Sequence, residues 1–92
     1  MRILEGAVAV VTGAGRGIGR AIAEELARGG AKVVVNYSQS KGPAEEVVAK
    51  LLASGSPQAV AIQADVSDAV QAAKLIEETV NQLGRLRGRA DR

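Results

Sequence analysis

The residues best suited to chemistry are the glycines of Thr12-Gly13-Ala14-Gly15-Arg16-Gly17-Ile18-Gly19. Gly13, Gly17 and Gly19 fall in a G-x-x-x-G-x-G spacing. That differs from the common G-x-G-x-x-G fingerprint of dinucleotide sites but obeys the same physics. Glycine permits a tight turn and lets the backbone approach a pyrophosphate closely. A helix that starts at such a turn offers free N–H groups and the positive end of its dipole. A P-loop would end in Gly-Lys-Ser/Thr, whereas Gly19 is followed by Arg20-Ala21, so that alternative fails. A glycine turn without any ligand is the remaining competitor. The apolar run before the turn and the amphipathic run after it weigh against that reading. Elsewhere the chemistry is sparse. Histidine and cysteine are both absent, which removes disulfides, thiol nucleophiles, histidine bases and the usual zinc sites. No metal ligand set and no catalytic group is identified.

The elements that must position the turn follow from periodicity. Ala7 to Val11 is a short apolar run and reads as a buried strand. Ile18 to Arg28 reads as a helix whose inward stripe is Ile18, Ala21, Ile22 and Leu26, stopped by Gly29-Gly30. Lys32 to Tyr37 contains Val33-Val34-Val35, whose lack of alternation predicts a strand covered on both faces. Ser38 to Gly42 is a predicted loop, with Pro43 in the first turn of a second helix that buries Val47, Val48, Leu51 and Leu52. Gly55 and Pro57 end that helix, and Ala59 to Ala64 is a third strand. Ser67 or Asp68 caps a third helix that turns Ala69, Ala73, Ile76, Val80 and Leu83 inward and closes at Gly84. The order β-α-β-α-β-α implies a parallel sheet with right-handed crossovers: an α/β fold, the N-terminal half of a Rossmann-type doubly wound sheet.

At 92 residues the chain is one domain at most. Its hydrophobic fraction of 47% fits a globular protein with a core of Val, Ile, Leu and Ala, since Tyr37 is the single aromatic. The net charge of +2 belongs to the end of the chain, because Arg85, Arg87, Arg89 and Arg92 face one acid there, Asp91. Without those last eight residues the count is eight basic against nine acidic. A basic end can bind nucleic acid or anionic lipid, but a solvated tail is the plainer reading. No signal peptide and no run near the roughly 20 apolar residues of a membrane span is evident. Neither a nucleic-acid nor a membrane partner is therefore expected, and a cytoplasmic location is.

At the glycine turn the chain resembles the short-chain dehydrogenase/reductase family, whose cofactor signature is T-G-x-x-x-G-x-G. The resemblance continues through Gly30-Ala31-Lys32-Val33-Val34-Val35 and Ala64-Asp65-Val66-Ser67-Asp68, covering Leu4 to Leu86. The stretch Val33-Val34-Val35-Asn36-Tyr37-Ser38 is similar to fungal ketoreductases of the naphthol and versicolorin reductase type. The resemblance implies a dinucleotide cofactor with Gly13, Gly17, Ile18 and Gly19 around the pyrophosphate. It implies Asp65 at the adenine amino group, with the Val66 backbone beside it. Asp65 as a plain helix-entry acid is the structural alternative. An NAD enzyme places an acid at the end of the second strand, about 20 residues beyond the glycines, to bind the ribose 2′-hydroxyl. Here that position is Tyr37, between Asn36 and Ser38, and no carboxylate is present to repel a 2′-phosphate. Arg16 matches the basic residue that NADP-type members aim at that phosphate. NADP(H) is therefore favoured over NAD(H).

The family's catalytic serine, its asparagine and its Y-x-x-x-K pair all lie beyond the third helix. Gly84-Arg85-Leu86 begins the family's next strand pattern, which breaks at Arg87 where an aspartate belongs. Residues 1–86 are thus expected to form a partial NADP(H)-binding domain, and 87–92 a divergent basic tail, truncated before the chemistry. The alternatives are a frameshifted or misspliced product and a subunit that docks on a full-length relative. Tyr37-Ser38-Gln39-Ser40-Lys41 matches Y-x-x-x-K as a string. The pair works on one helix face, whereas Tyr37 should end a strand and Lys41 should sit in a loop. In the order 3-2-1-4-5-6 the first strand pairs with the fourth, so its edge is expected to be open to self-association.

Overall fold

Three β-branched or alanine-rich runs form strands, and each amphipathic run between them forms a helix. In this computed structural model, which describes residues 4–13 and 17–84, the order is β1 (Val8–Thr12), α1 (Gly17–Arg28), β2 (Lys32–Tyr37), α2 (Lys41–Ser54), β3 (Ala59–Gln63) and α3 (Ala69–Leu83). The strands are parallel in the order β1-β2-β3, with Val10 opposite Val34 and Val34 opposite Val60. This is the predicted α/β architecture, a Rossmann-like three-stranded unit.

Both faces of the sheet are covered, which explains why Val33-Val34-Val35 is apolar without alternating. Val33 and Val35 join Val11, Ala59, Ala23, Ala27, Ala44, Val47 and Leu51 under α1 and α2. Val34 points the other way and packs with Val8, Ala64, Leu75 and Leu83 under α3. The three central valines are fully buried.

The helices turn differently from the expected stripes. On α1 the fully buried residues are Ala23 and Ala27, while Ile18 is 79% and Ile22 49% exposed. Small side chains let the helix lie close to the sheet, and the larger isoleucines fall to the side. There they line an open groove of about 570 Å³ with Leu4, Leu26 and Gly29. On α2, Val47 and Leu51 are buried as expected but Leu52 is exposed. On α3 the buried line is Leu75, Thr79 and Leu83; Ala69, Ala73 and Ile76 face solvent and Val80 is half-buried. Thr79 is tolerated there because its hydroxyl donates to the Leu75 carbonyl at 2.8 Å.

Boundaries moved slightly at the loops. Lys41 is helical rather than in a loop, since the Ala44 N–H already reaches the Ser40 carbonyl at 3.2 Å. Pro43 lies in that first turn, where an N–H has no intrahelical partner to lose. Asp68, not Ser67, caps α3, its side chain accepting from the N–H groups of Val70 and Gln71. Ala64 lies just past β3.

Gly29 gives a direct test of packing. Leu4 N–H donates to the Gly29 carbonyl at 2.8 Å, and the Leu4 side chain covers the glycine. An added Cβ would stand 2.7 Å from Leu4 Cδ1 and 2.9 Å from Cγ, so a swing of the leucine tip alone does not clear it. Gly29→Ala is expected to lose about 1–3 kcal/mol by overpacking. Leu4→Ala in the same chain should recover part of that in urea denaturation. An unchanged midpoint for Gly29→Ala would show that the Leu4 segment moves aside at no cost.

Candidate functional site

Because the strands are parallel, their carboxyl ends meet at one rim, where open α/β sheets hold ligands. A crevice of about 370 Å³ opens there, lined by Thr12 and Gly13 after β1, Asn36 to Ser40 after β2, Ala44 of α2, and Ala64, Asp65 and Val66 after β3. The sheet thus brings together three segments that are far apart in sequence.

Gly13 and Gly17 adopt φ values of 65° and 64°, a region that side chains with a Cβ rarely enter. Among the described residues nothing lies within 4 Å of a Cβ added at either, which leaves the backbone there bare of them. Arg16, with Ala14 and Gly15, lies outside the described residues. Ile18 projects from the first turn of α1 into solvent, and Gly19 follows it half-buried.

Tyr37 is the last residue of β2, half-buried against the α1 and α2 side of the core. Ser38 is exposed, and its carbonyl accepts from Gln63 Nε2 at 3.0 Å. Lys41 opens α2, so Tyr37 and Lys41 do not share a helix face. Val66 is exposed beside Asp65.

Asp65 is tied to the segment that follows it. Its Oδ1 accepts from Ser67 N–H at 3.0 Å and Ser67 Oγ at 2.6 Å, and its carbonyl accepts from Asp68 N–H at 3.0 Å. Among the described residues Oδ2 accepts no hydrogen bond, which leaves it open to a donor in the crevice. The Ser67 hydroxyl, then the Ser67 N–H, hold the carboxyl below the ordinary value by bonding its charged form. The stability this adds is present above the ordinary aspartate value and is lost as pH falls through the lowered one. Ser67→Ala is expected to raise the Asp65 titration midpoint, read from carboxyl carbon shifts. An unmoved midpoint would remove the hydroxyl as the cause.

Two residues of this rim escaped the sequence reading. Asn36 is 4% exposed, and its Nδ2 donates to the carbonyls of Ile62 and Ala64, each at 3.2 Å. Gln71 of α3 accepts the Asp65 N–H on Oε1 at 2.8 Å. The available signals were a polar residue inside an apolar strand and the spacing Asp68-x-x-Gln71, which is that of a helix-capping pair.

The sequence pattern of the short chain dehydrogenase family matches residues 7–88. An uncharacterized oxidoreductase of Methylorubrum extorquens is 59% identical over 86 residues, covering 94% of this chain and 34% of that protein. Versicolorin reductase 1 of Aspergillus parasiticus is 58% identical over 83 residues, covering 90% of this chain and 31% of that one. The solved structure of a blue fluorescent protein from a metagenomic library, in complex with NADPH, superposes with a TM-score of 0.83 at 42% identity, over 91% of this chain and 34% of that one. The chain therefore spans about a third of the length of the relatives it matches.

Proposed function

Because the chain belongs to the short-chain dehydrogenase family, we propose that it is the NADP(H)-binding portion of an oxidoreductase acting on a ketone or alcohol. One observation carries the reading: the glycine turn, the end of β2 and the exit of β3 line a single crevice at the carboxyl rim of a parallel sheet. The residues fit a dinucleotide. The bare backbone at Gly13 and Gly17, with Ile18 and Gly19 opening α1, suits a pyrophosphate; the free Oδ2 of Asp65, beside Val66, suits an adenine amino group. The bound cofactor would supply or accept a hydride.

The choice of NADP(H) over NAD(H) rests on Tyr37 and Ser38, where an NAD enzyme carries an acid, and on Arg16 in the glycine turn. The NADPH held by the metagenomic neighbour supports the same choice. A charge-assisted hydrogen bond from Arg16 to the 2′-phosphate is worth about 1.5–3 kcal/mol, or roughly ten- to a hundredfold in affinity. Calorimetric titration tests this. Arg16→Ala should weaken NADP(H) binding and leave NAD(H) nearly unchanged, and Tyr37→Asp should shift preference toward NAD(H). Equal affinity of the wild type and both variants for the two dinucleotides would mean that neither residue reads the 2′ position.

A second reading concerns assembly. Among the described residues β1 pairs only with β2, and its outer edge is apolar, with neither charge nor proline to guard it. Exposed Ile18 and Ile22 lie on the neighbouring helix. These features support self-association of the 92-residue chain. A strictly monomeric species by light scattering across the micromolar range would contradict it.

A further inference from the structure

At a helix start of the form Asp68-x-x-Gln71, the third-position side chain ordinarily turns back to the N–H of the capping residue. Here that N–H is already taken, because Asp68 N–H donates to the Asp65 carbonyl at 3.0 Å. The Gln71 side chain reaches three residues further back and accepts the Asp65 N–H at 2.8 Å. The other side of the same peptide unit is also held. The Ala64 carbonyl accepts from Asn36 Nδ2 at 3.2 Å. One peptide plane, Ala64–Asp65, is therefore gripped at its carbonyl by β2 and at its N–H by α3. The last backbone bond from β2 to this segment is Ala64 N–H to Tyr37 carbonyl at 2.9 Å. Beyond it, side chains replace the strand ladder.

Rotation of that plane would swing the Cα–Cβ bond of Asp65 and carry its free Oδ2 away from the crevice. We propose that Gln71 is a positioning residue that, with Asn36 opposite, orients the Asp65 carboxylate toward the amino group of a bound purine. The inference rests on the dinucleotide reading above. Gln71 itself does not line the crevice, so its effect reaches the ligand through the Asp65 backbone. Asn36 is buried in the sheet, whereas Gln71 lies at the helix surface, where a substitution leaves the core intact.

The test compares NADP⁺ with its hypoxanthine analogue, whose base carries a carbonyl where adenine carries the amino group. Calorimetry on the full 92-residue chain should give the wild type an adenine preference of about tenfold, the lower end for a hydrogen bond to a charged group. Gln71→Met, of similar length but without a strong acceptor, should bring that ratio close to one. Gln71→Glu keeps an acceptor oxygen and should keep the ratio, even where its added charge weakens both ligands alike. Retention of the wild-type ratio by Gln71→Met would overturn the proposal. Failure of the wild type to bind either compound would count against the dinucleotide reading itself. The clamp is then judged without ligand, from amide exchange at Asp65. Slow exchange in the wild type and Gln71→Glu with fast exchange in Gln71→Met supports it, and equal rates in all three overturn it.

Discussion

Mixed with NADPH and a broad panel of ketones, the 92-residue chain alone is expected to give no reduction above the no-protein rate. Hydride delivery to a ketone leaves an alkoxide that must gain a proton, and a placed acid typically accelerates such a step about 100- to 10,000-fold. There is no histidine or cysteine, and the one tyrosine ends β2. Lys41, four positions on, opens a different element, so the two do not share the helix face on which such a pair works. A glycine turn of the kind proposed to hold a dinucleotide does not by itself position a substrate, so orientation is lost as well. Turnover that scales with protein concentration, and that Tyr37→Phe abolishes, would show this account of Tyr37 to be wrong.

Asn36→Asp is expected to cost about 3–5 kcal/mol at neutral pH, the range for a buried charge left without a partner. Both carbonyls that Asn36 faces, those of Ile62 and Ala64, need a donor, and a carboxylate has none. The buried acid should respond by raising its pKa above the unfolded value of about 3.9. The folded state then holds the proton more tightly than the unfolded one. Stability should be least impaired below about pH 4, fall as pH rises through the window between the two values, and level off above the folded pKa. Urea denaturation at pH 4 and pH 7 reads the difference. A penalty below about 1 kcal/mol at both pH values would mean that the amide's two bonds contribute little.

The sheet was the most legible part of the sequence, because Val33-Val34-Val35 has few other uses and Gly29-Gly30, Gly55 and Gly84 punctuate the helices. Helix faces were harder. Ile18 and Ile22 form a good apolar stripe, yet α1 meets the sheet through Ala23 and Ala27. A reading weighted by hydrophobicity favours large residues, while close helix–sheet approach selects small ones. On α3 the same weighting passed over Thr79, whose hydroxyl is satisfied within its own helix. At the rim, the glycines and Asp65 were visible because their types are unusual for their places. Asn36 and Gln71 were not, since their partners are backbone atoms of other segments, 26 and 28 residues away for Asn36 and six for Gln71. Backbone partners leave no trace in the composition of either segment.

Tyr37 has a consequence for observation. It is the only aromatic residue in the chain, and it stands at the wall of the crevice. All ultraviolet emission, and all near-ultraviolet circular dichroism, therefore originate at the mouth of the site and none in the valine core. Occupancy of the crevice should change the lifetime and anisotropy of that emission with no label attached. The same signal is blind to repacking beneath α3, so a melt followed by tyrosine emission and one followed by far-ultraviolet dichroism will coincide only if the rim and the core unfold together.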